Sequence, residues 1–280
     1  MGSAGYHGAV NAHYGDFDLS ARIREMLGRR AATRDELAAF DEFHTGGRTS
    51  TRALADLVAL APGMLVLDVG SGVGGPARTL AAERGARVAG LDLTRDFCRA
   101  ARMLTAMIGM SAGVTFQQGD ALALPYADER FDVVWSQNTI MNIPDKGRLF
   151  AEIRRVLKPG GAFALEAALA GPAGGEVRYP TFWAGSAELS FLDTPGRTRE
   201  LLLGAGLTVE EWEDVTAANV EQARQRATAR RATGARPLGR DVIVRDAVTE
   251  KIDNSLRNGL EGRIVAVRVV YRKPADAGGA

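Results

Sequence analysis

Residues 66–78 read VLDVGSGVGGPAR. An apolar run enters a loop where Gly70, Gly72 and Gly75 take G-x-G-x-x-G spacing, and Pro76 opens a helical stretch behind them. A strand, a glycine loop and a helix in that order make the first unit of a parallel α/β sheet, with the loop at the strand's C-terminal tip. Such a loop can hold the pyrophosphate of a dinucleotide or an S-adenosylmethionine, and by itself it does not choose.

The alternation continues. ARVAGLDL, GVTFQQGDA, FDVVWSQ and AFALEAAL read as strands. PARTLAAERG, TRDFCRAARMLTAMIG and DKGRLFAEIRRVLKPGG read as helices, the last expected to stop at Pro159-Gly160-Gly161. Short apolar strands between amphipathic helices predict a doubly wound α/β sheet covered on both faces. Ahead of it, helices are expected over 19–27, 34–40 and from the Gly46-Gly47 turn to Leu60. After Ala170 the rhythm breaks: 171–195 is rich in Gly, Pro and aromatics and fits neither period, as functional loops often do. A capped helix from Thr194-Pro195, the strand LTVEEWEDVT, a basic helix, a helix over 242–257 and the alternating strand RIVAVRVVYR follow. No linker interrupts this plan. A single domain over 1–280 is expected: a helical cap (1–45), a core (46–170), a lid insertion (171–195) and the rest of the sheet with a helical insertion (196–272).

Bulk chemistry narrows the partners. Formal net charge is +1, so neither nucleic acid nor an anionic membrane is expected. A single cysteine, Cys98, excludes an intramolecular disulfide and a cysteine zinc cluster; it reads as a buried, inert thiol. No apolar run is long enough for a bilayer, and the N-terminus lacks a signal peptide's apolar core. A cytoplasmic enzyme with no metal is expected; a homodimer is left open.

Four features choose the ligand. Asp68 stands two residues before Gly70, where a carboxylate would repel a pyrophosphate but attract an amino group and a sulfonium. Asp92 ends the second strand, placed to accept ribose hydroxyls, which suits either adenosine cofactor. Asp120 ends the third strand, placed to accept the adenine amino proton, with the N–H of Ala121 near a ring nitrogen. Dehydrogenase chemistry is missing: no Tyr is followed four residues later by Lys, and no second domain brings a substrate to a nicotinamide. S-Adenosylmethionine is the expected cofactor and S-adenosylhomocysteine the product.

On these residues the chain resembles the class I S-adenosylmethionine-dependent methyltransferases of the small-molecule branch, over about residues 40–272. The matching segments are GGRTSTRALADL, VLDVGSGVGGPARTLA, VAGLDL, VTFQQGDALALPYADERFDVVWSQNTIMNIPDK and EIRRVLKPGG. GSGVGGPAR resembles the loop of sterol and tocopherol methyltransferases, and WSQN with IPDK resembles glycine-betaine-forming N-methyltransferases. The resemblance implies a Rossmann-like sheet in order 3-2-1-4-5-7-6 with the last strand antiparallel. It places Gly46, Gly47 and Thr51 at the cofactor's carboxylate, although a plain turn and helix cap reads nearly as well. Asp68, Gly70, Gly72, Gly74, Asp92, Asp120 and Ala121, with Ser71, Leu93, Gly119 and Gln137 beside them, complete the expected cofactor set. Gly70, Gly72 and Gly74 are expected to let the backbone approach the cofactor where a Cβ would collide.

The methyl acceptor is expected at the same sheet edge, in line with the sulfonium. Asn138 occupies a position that related sequences often fill with His or Asp; an amide orients an acceptor but takes no proton. Asn138 and His44 are the catalytic candidates, His44 having a structural alternative. Tyr14, Asn142, Glu166, Tyr179 and Trp183 are the substrate candidates. Aromatics in 171–195 suit an apolar substrate or a cationic amine, or form a satellite core. Arg224, Arg226, Arg230, Arg231 and Arg236 read as a solvated helix face or, alternatively, a site for an acidic substrate or partner. Methyl transfer to a small molecule is the expected function, N- or C-methylation favoured over O-. The alternatives are a non-catalytic adenosyl-ligand binder with a regulatory or assembly role and, more distantly, an NAD-dependent dehydrogenase.

Overall fold

The computed structural model describes residues 3–14, 18–28, 32–233, 239–244 and 246–275. Four helices come first: α1 (Ser3–Tyr14), α2 (Leu19–Leu27), α3 (Arg34–Asp41) and α4 (Gly47–Leu57). The alternating part follows as β1 (Leu65–Val69), α5 (Gly75–Arg84), β2 (Arg87–Asp92), α6 (Arg95–Met107), β3 (Val114–Gln118), β4 (Phe131–Gln137), α7 (Lys146–Val156) and β5 (Leu157–Ala170). Beyond the 171–194 segment come α8 (Pro195–Gly204), β6 (Thr208–Asp214), α9 (Thr216–Thr233), α10 (Val248–Leu260) and β7 (Ile264–Arg272).

One sheet contains all seven strands, in the order β3-β2-β1-β4-β5-β7-β6. β1 to β5 pair in parallel, and β7 runs antiparallel between β5 and β6. Period-two alternation sorts the core. Leu67, Val134 and Phe163 point to one face, against Phe150 of α7 and Leu202 of α8. Val66, Val133, Trp135 and Ala162 point to the other, against Leu54 of α4 and Leu80 of α5. The central strands are therefore buried on both sides, which explains their nearly continuous apolar sequence. Cys98 is buried on α6, and burial raises its thiol pKa to about 12.

Local signals set the helix ends. Thr33 and Glu36 form a reciprocal capping box on α3, and Asp145 and Thr194 cap α7 and α8. Two features differ from expectation. Pro159-Gly160-Gly161 lies inside β5 and not at a helix end, because α7 already stops at Val156. The pairing jumps from Phe131↔Leu157 to Val133↔Ala162, so the Lys-Pro-Gly-Gly stretch is absorbed as an irregularity, with Gly160 at φ 74°. The second is α1, which shows little periodicity and is anchored by tertiary bonds.

The 171–194 segment has almost no regular structure, yet its backbone is satisfied by side chains and loops. Phe191 N–H donates to the Met141 carbonyl at 2.7 Å, and Asn258 exchanges two hydrogen bonds with the Arg178 backbone. Thr181 and Ala184 are fully buried, and Trp183 joins the core of the α7 face.

Candidate functional site

A cavity of about 190 Å³ opens at the C-terminal tips of β1 to β4. Its floor is the 70–73 loop, residues 91–94, residues 119–122 and residues 137–143. Tyr6, Val10 and Tyr14 of α1 cover one side, His44 and Thr45 another, and Phe182 and Trp183 roof the end away from β3. This is the switch-point crevice where open α/β sheets bind ligands.

Gly70, Gly72 and Gly74 all have positive φ (73°, 53° and 85°), and what a Cβ would meet differs among them. A Cβ at Gly72 would meet no protein atom within 4 Å. One at Gly70 would strike Thr139, and one at Gly74 would strike Phe116 and Arg78. Two of these glycines thus permit packing of the loop against its own protein.

Three carboxylates stand at three strand tips. Asp68, near the end of β1, is 2% exposed, and its Oδ2 has no hydrogen-bond donor. Burial, then the negative charge of Asp92, raises its pKa to about 7 against a smaller opposing effect of His44. It is not on the cavity wall. A buried carboxylate without a donor fits an ammonium ligand such as the amino group of S-adenosylmethionine. Ser71 Oγ, on the wall, is also buried and unpaired. Asp92 accepts from Gly72 N–H and Thr94 N–H, both at 2.8 Å. Burial raises its pKa, and those two bonds oppose the rise. It therefore pins the glycine loop, and its oxygens retain lone pairs for ribose hydroxyls. Asp120 accepts from Leu122 N–H at 2.8 Å and lies 3.0 Å from His7 Nε2 of α1. Leu93, Gly119, Ala121 and Gln137 also line the cavity.

His44 is buried with both ring nitrogens facing oxygens: Nδ1 at 3.0 Å from the Thr45 carbonyl and Nε2 at 3.0 Å from Glu42 Oε2. Burial pulls its pKa down, but the Glu42 hydrogen bond and charge outweigh this and hold it above the ordinary value. Both ring nitrogens are therefore engaged within the protein, Nε2 also lying 3.1 Å from Thr51 Oγ1. Thr51 joins this cluster, donating to Glu42 and within 3.1 Å of Gln137 Oε1.

Asn138 sits on the wall at φ 53°, with its N–H bonded to the Glu166 carbonyl at 2.7 Å. Its side-chain Nδ2 is buried without an acceptor. Asn142 is on the wall with its amide fully used: Nδ2 donates to the Trp183 and Leu189 carbonyls, and Oδ1 accepts from Tyr14.

Several sequence-predicted residues lie off the wall. Gly46, Gly47 and Thr51 form the turn and first turn of α4. Glu166 faces across the sheet to Arg268 at 3.1 Å and takes a bond from Ser50. Tyr179 packs against the core on the α7 face. Sequence reasoning missed Tyr6, Val10, Phe97, Met141 and Ile243, all on the wall, while Phe182, among the aromatics expected in 171–195, is also there. Tyr6, Val10 and Tyr14 recur four residues apart, the helical spacing that could have exposed the α1 contribution.

The sheet order, the glycine loop and the carboxylate at each of three strand tips define a class I S-adenosylmethionine-dependent methyltransferase fold. Residues 67–165 match the family described as a methyltransferase domain. The chain is 37% identical over 128 residues to the methyltransferase GfsG of Streptomyces halstedii, covering 46% of each protein. It spans less than half the length of the curated relatives it matches. Among solved structures it resembles geranyl diphosphate C-methyltransferase from Streptomyces coelicolor A3(2), with TM-score 0.73, 16% identity and 98% and 99% of the chains covered. It also resembles the [4+2]-cyclase SpnF, with TM-score 0.66, 22% identity and 96% of each chain covered. Among the described residues no helix is long and apolar enough to cross a membrane.

Proposed function

We propose that the protein methylates a small, largely apolar acceptor, using S-adenosylmethionine as donor. The observation that carries this reading is the continuity of one cavity from the 70–73 loop, Asp92 and Asp120 to Asn138, Phe182 and Trp183. When bound, the cofactor supplies an electrophilic methyl group on a sulfonium. Asp68 would hold its amino group. Asp92 would take the ribose hydroxyls and Asp120 the adenine amine. Asn138 Nδ2, a buried donor without an acceptor, would orient the substrate heteroatom or a polar group beside the reacting carbon. Phe182 and Trp183 would exclude water from the reacting end. Asn138 takes no proton and both His44 ring nitrogens are already engaged, so an acceptor that reacts without prior deprotonation suits the site. N- or C-methylation is therefore favoured over O-methylation. The reading includes a single domain over 1–280, a cytoplasmic setting, no nucleic-acid partner, no membrane partner and a homodimer left open.

The engaged nitrogens of His44 also support a second reading, an adenosyl-ligand binder without methyl transfer. Incubation with methyl-labelled S-adenosylmethionine and metabolite fractions separates the two. Label in an acceptor, with S-adenosylhomocysteine formed in equal amount, supports the methyltransferase; cofactor binding with no labelled product across the fractions supports the binder.

A further inference from the structure

A further chamber adjoins the cavity at Trp183. This second chamber, of about 80 Å³, shares Thr45, Asn138, Ala168, Phe182, Trp183 and Ser255 with the first. It runs on between α9, α10 and β7, with Val220, Ala223, Ile252 and Ile264 on its apolar walls. Arg226, on α9, is the one charged residue lining it among the described residues.

The arginine stretch of α9 is not uniform. Arg224 pairs with Glu221, Arg230 with Asp241 and Arg231 with Asp253. Arg226 is half-buried, and no carboxylate among the described residues lies within ion-pair distance of it. Its hydrogen bond is to a neutral acceptor on its own helix, Gln222 Oε1, at 3.3 Å. Burial pulls its pKa down, with no neighbouring charge opposing the shift. A guanidinium withdrawn from water without a counter-ion is costly, and an oxyanion offers it the two parallel N–H···O bonds that its planar fork matches.

We propose that the substrate carries an oxyanion, a carboxylate or phosphate, which Arg226 binds at the far end of the second chamber while an apolar body fills the space back to Asn138. This rests on the methyltransferase reading for its first chamber and names the substrate class: an apolar molecule with an anionic end remote from the methylated atom. Arg226 is then a specificity residue that selects the acceptor and has no part in cofactor binding.

The probes are 4-phenylbutyrate and its neutral counterpart 4-phenyl-1-butanol, titrated calorimetrically into the full-length protein with and without S-adenosylhomocysteine. The acid is expected to bind at least tenfold more tightly than the alcohol. Arg226→Gln should remove that preference, and Arg226→Lys should restore part of it. Arg224→Gln, on the exposed and paired face, should leave it intact. Equal binding of acid and alcohol to the unsubstituted protein, or a preference that survives Arg226→Gln, overturns the proposal. S-Adenosylhomocysteine affinity should be the same in all four proteins. Its failure to bind the unsubstituted protein would count against the methyltransferase reading, and the acid–alcohol comparison would still decide the role of Arg226.

Discussion

Tyr14 donates its phenolic proton to Asn142 Oδ1 at 3.0 Å, joining the end of α1 to the turn that follows β4 across most of the first half of the chain. The same asparagine receives Tyr6 on its carbonyl oxygen at 2.7 Å and gives both amide protons to the 171–194 segment. One side chain thus fastens two covers of the cavity. Asn142→Ala should orphan the Leu189 carbonyl and leave the Trp183 carbonyl with Tyr14 as its remaining donor, at 3.1 Å. The expected cost is about 1–3 kcal/mol for each buried group left unpaired. Thermal unfolding should show a lower Tm, and limited proteolysis should cut within 3–14 and 171–194 faster than in the parent. Unchanged proteolysis would mean the covers are held elsewhere.

Asp68 makes cofactor affinity pH-dependent. Its pKa of about 7 in the free protein lies above the ordinary 3.8, so the native state binds the extra proton over that interval. Native protein therefore holds more protons than unfolded, and stability falls as pH rises from about 4 through 7, then levels. Ammonium binding needs the ionised carboxylate, so affinity runs the opposite way. S-Adenosylhomocysteine should bind about tenfold more weakly at pH 6 than at pH 8, from the fraction of Asp68 ionised. Asp68→Asn should flatten both profiles and weaken binding at pH 8. Parallel profiles for Asp68→Asn and the parent would place the titration in another group.

Asp92 does two things, and its removal should show both. Asp92→Ala should weaken S-adenosylhomocysteine by about 1–3 kcal/mol through loss of a charged acceptor for the ribose. It should also cost stability, because Gly72 N–H and Thr94 N–H lose their acceptor. Calorimetry on the folded variant, with circular dichroism to confirm the fold, separates the effects. Full affinity in a folded variant would remove Asp92 from the ribose site.

Trp183 is the position where packing changes an expectation. Its location in a glycine-rich insertion suggests a mobile lid, but the indole is 9% exposed and its Nε1 donates to Ser190 Oγ at 3.0 Å. Trp183→Ala should therefore cost about 3–5 kcal/mol of stability, as for large-to-small changes in a core. Trp183→Phe should keep most of that stability and lower acceptor affinity with cofactor affinity unchanged. Urea unfolding and paired titrations measure the two; a stability loss below about 1 kcal/mol for Trp183→Ala would restore the lid view.

The legibility of the sequence follows the range of the forces involved. Strands β1 to β5 and their glycine loop are local patterns, apolar runs ended by Gly or acidic residues, so Asp68, Asp92 and Asp120 could be placed on strand tips before any contact was known. Glu166 lies inside the fifth apolar run, and β7 returns antiparallel and sets Arg268 directly opposite it. That pairing spans a hundred residues and no local pattern announces it. The helix α1 carries one local signal, the four-residue spacing of Tyr6, Val10 and Tyr14, in a sequence rich in Ala and Gly, and it is held from afar by Asn142 and Asp120. Arg226 is indistinguishable from its neighbours in sequence because the turn of α9 alone decides which arginine faces the chamber.

The most direct test of the account is a calorimetric titration of the purified protein with S-adenosylhomocysteine and, separately, with NAD. Micromolar binding of S-adenosylhomocysteine, about −8 kcal/mol, with no heat from NAD is the predicted result. Binding of NAD without binding of S-adenosylhomocysteine would contradict it.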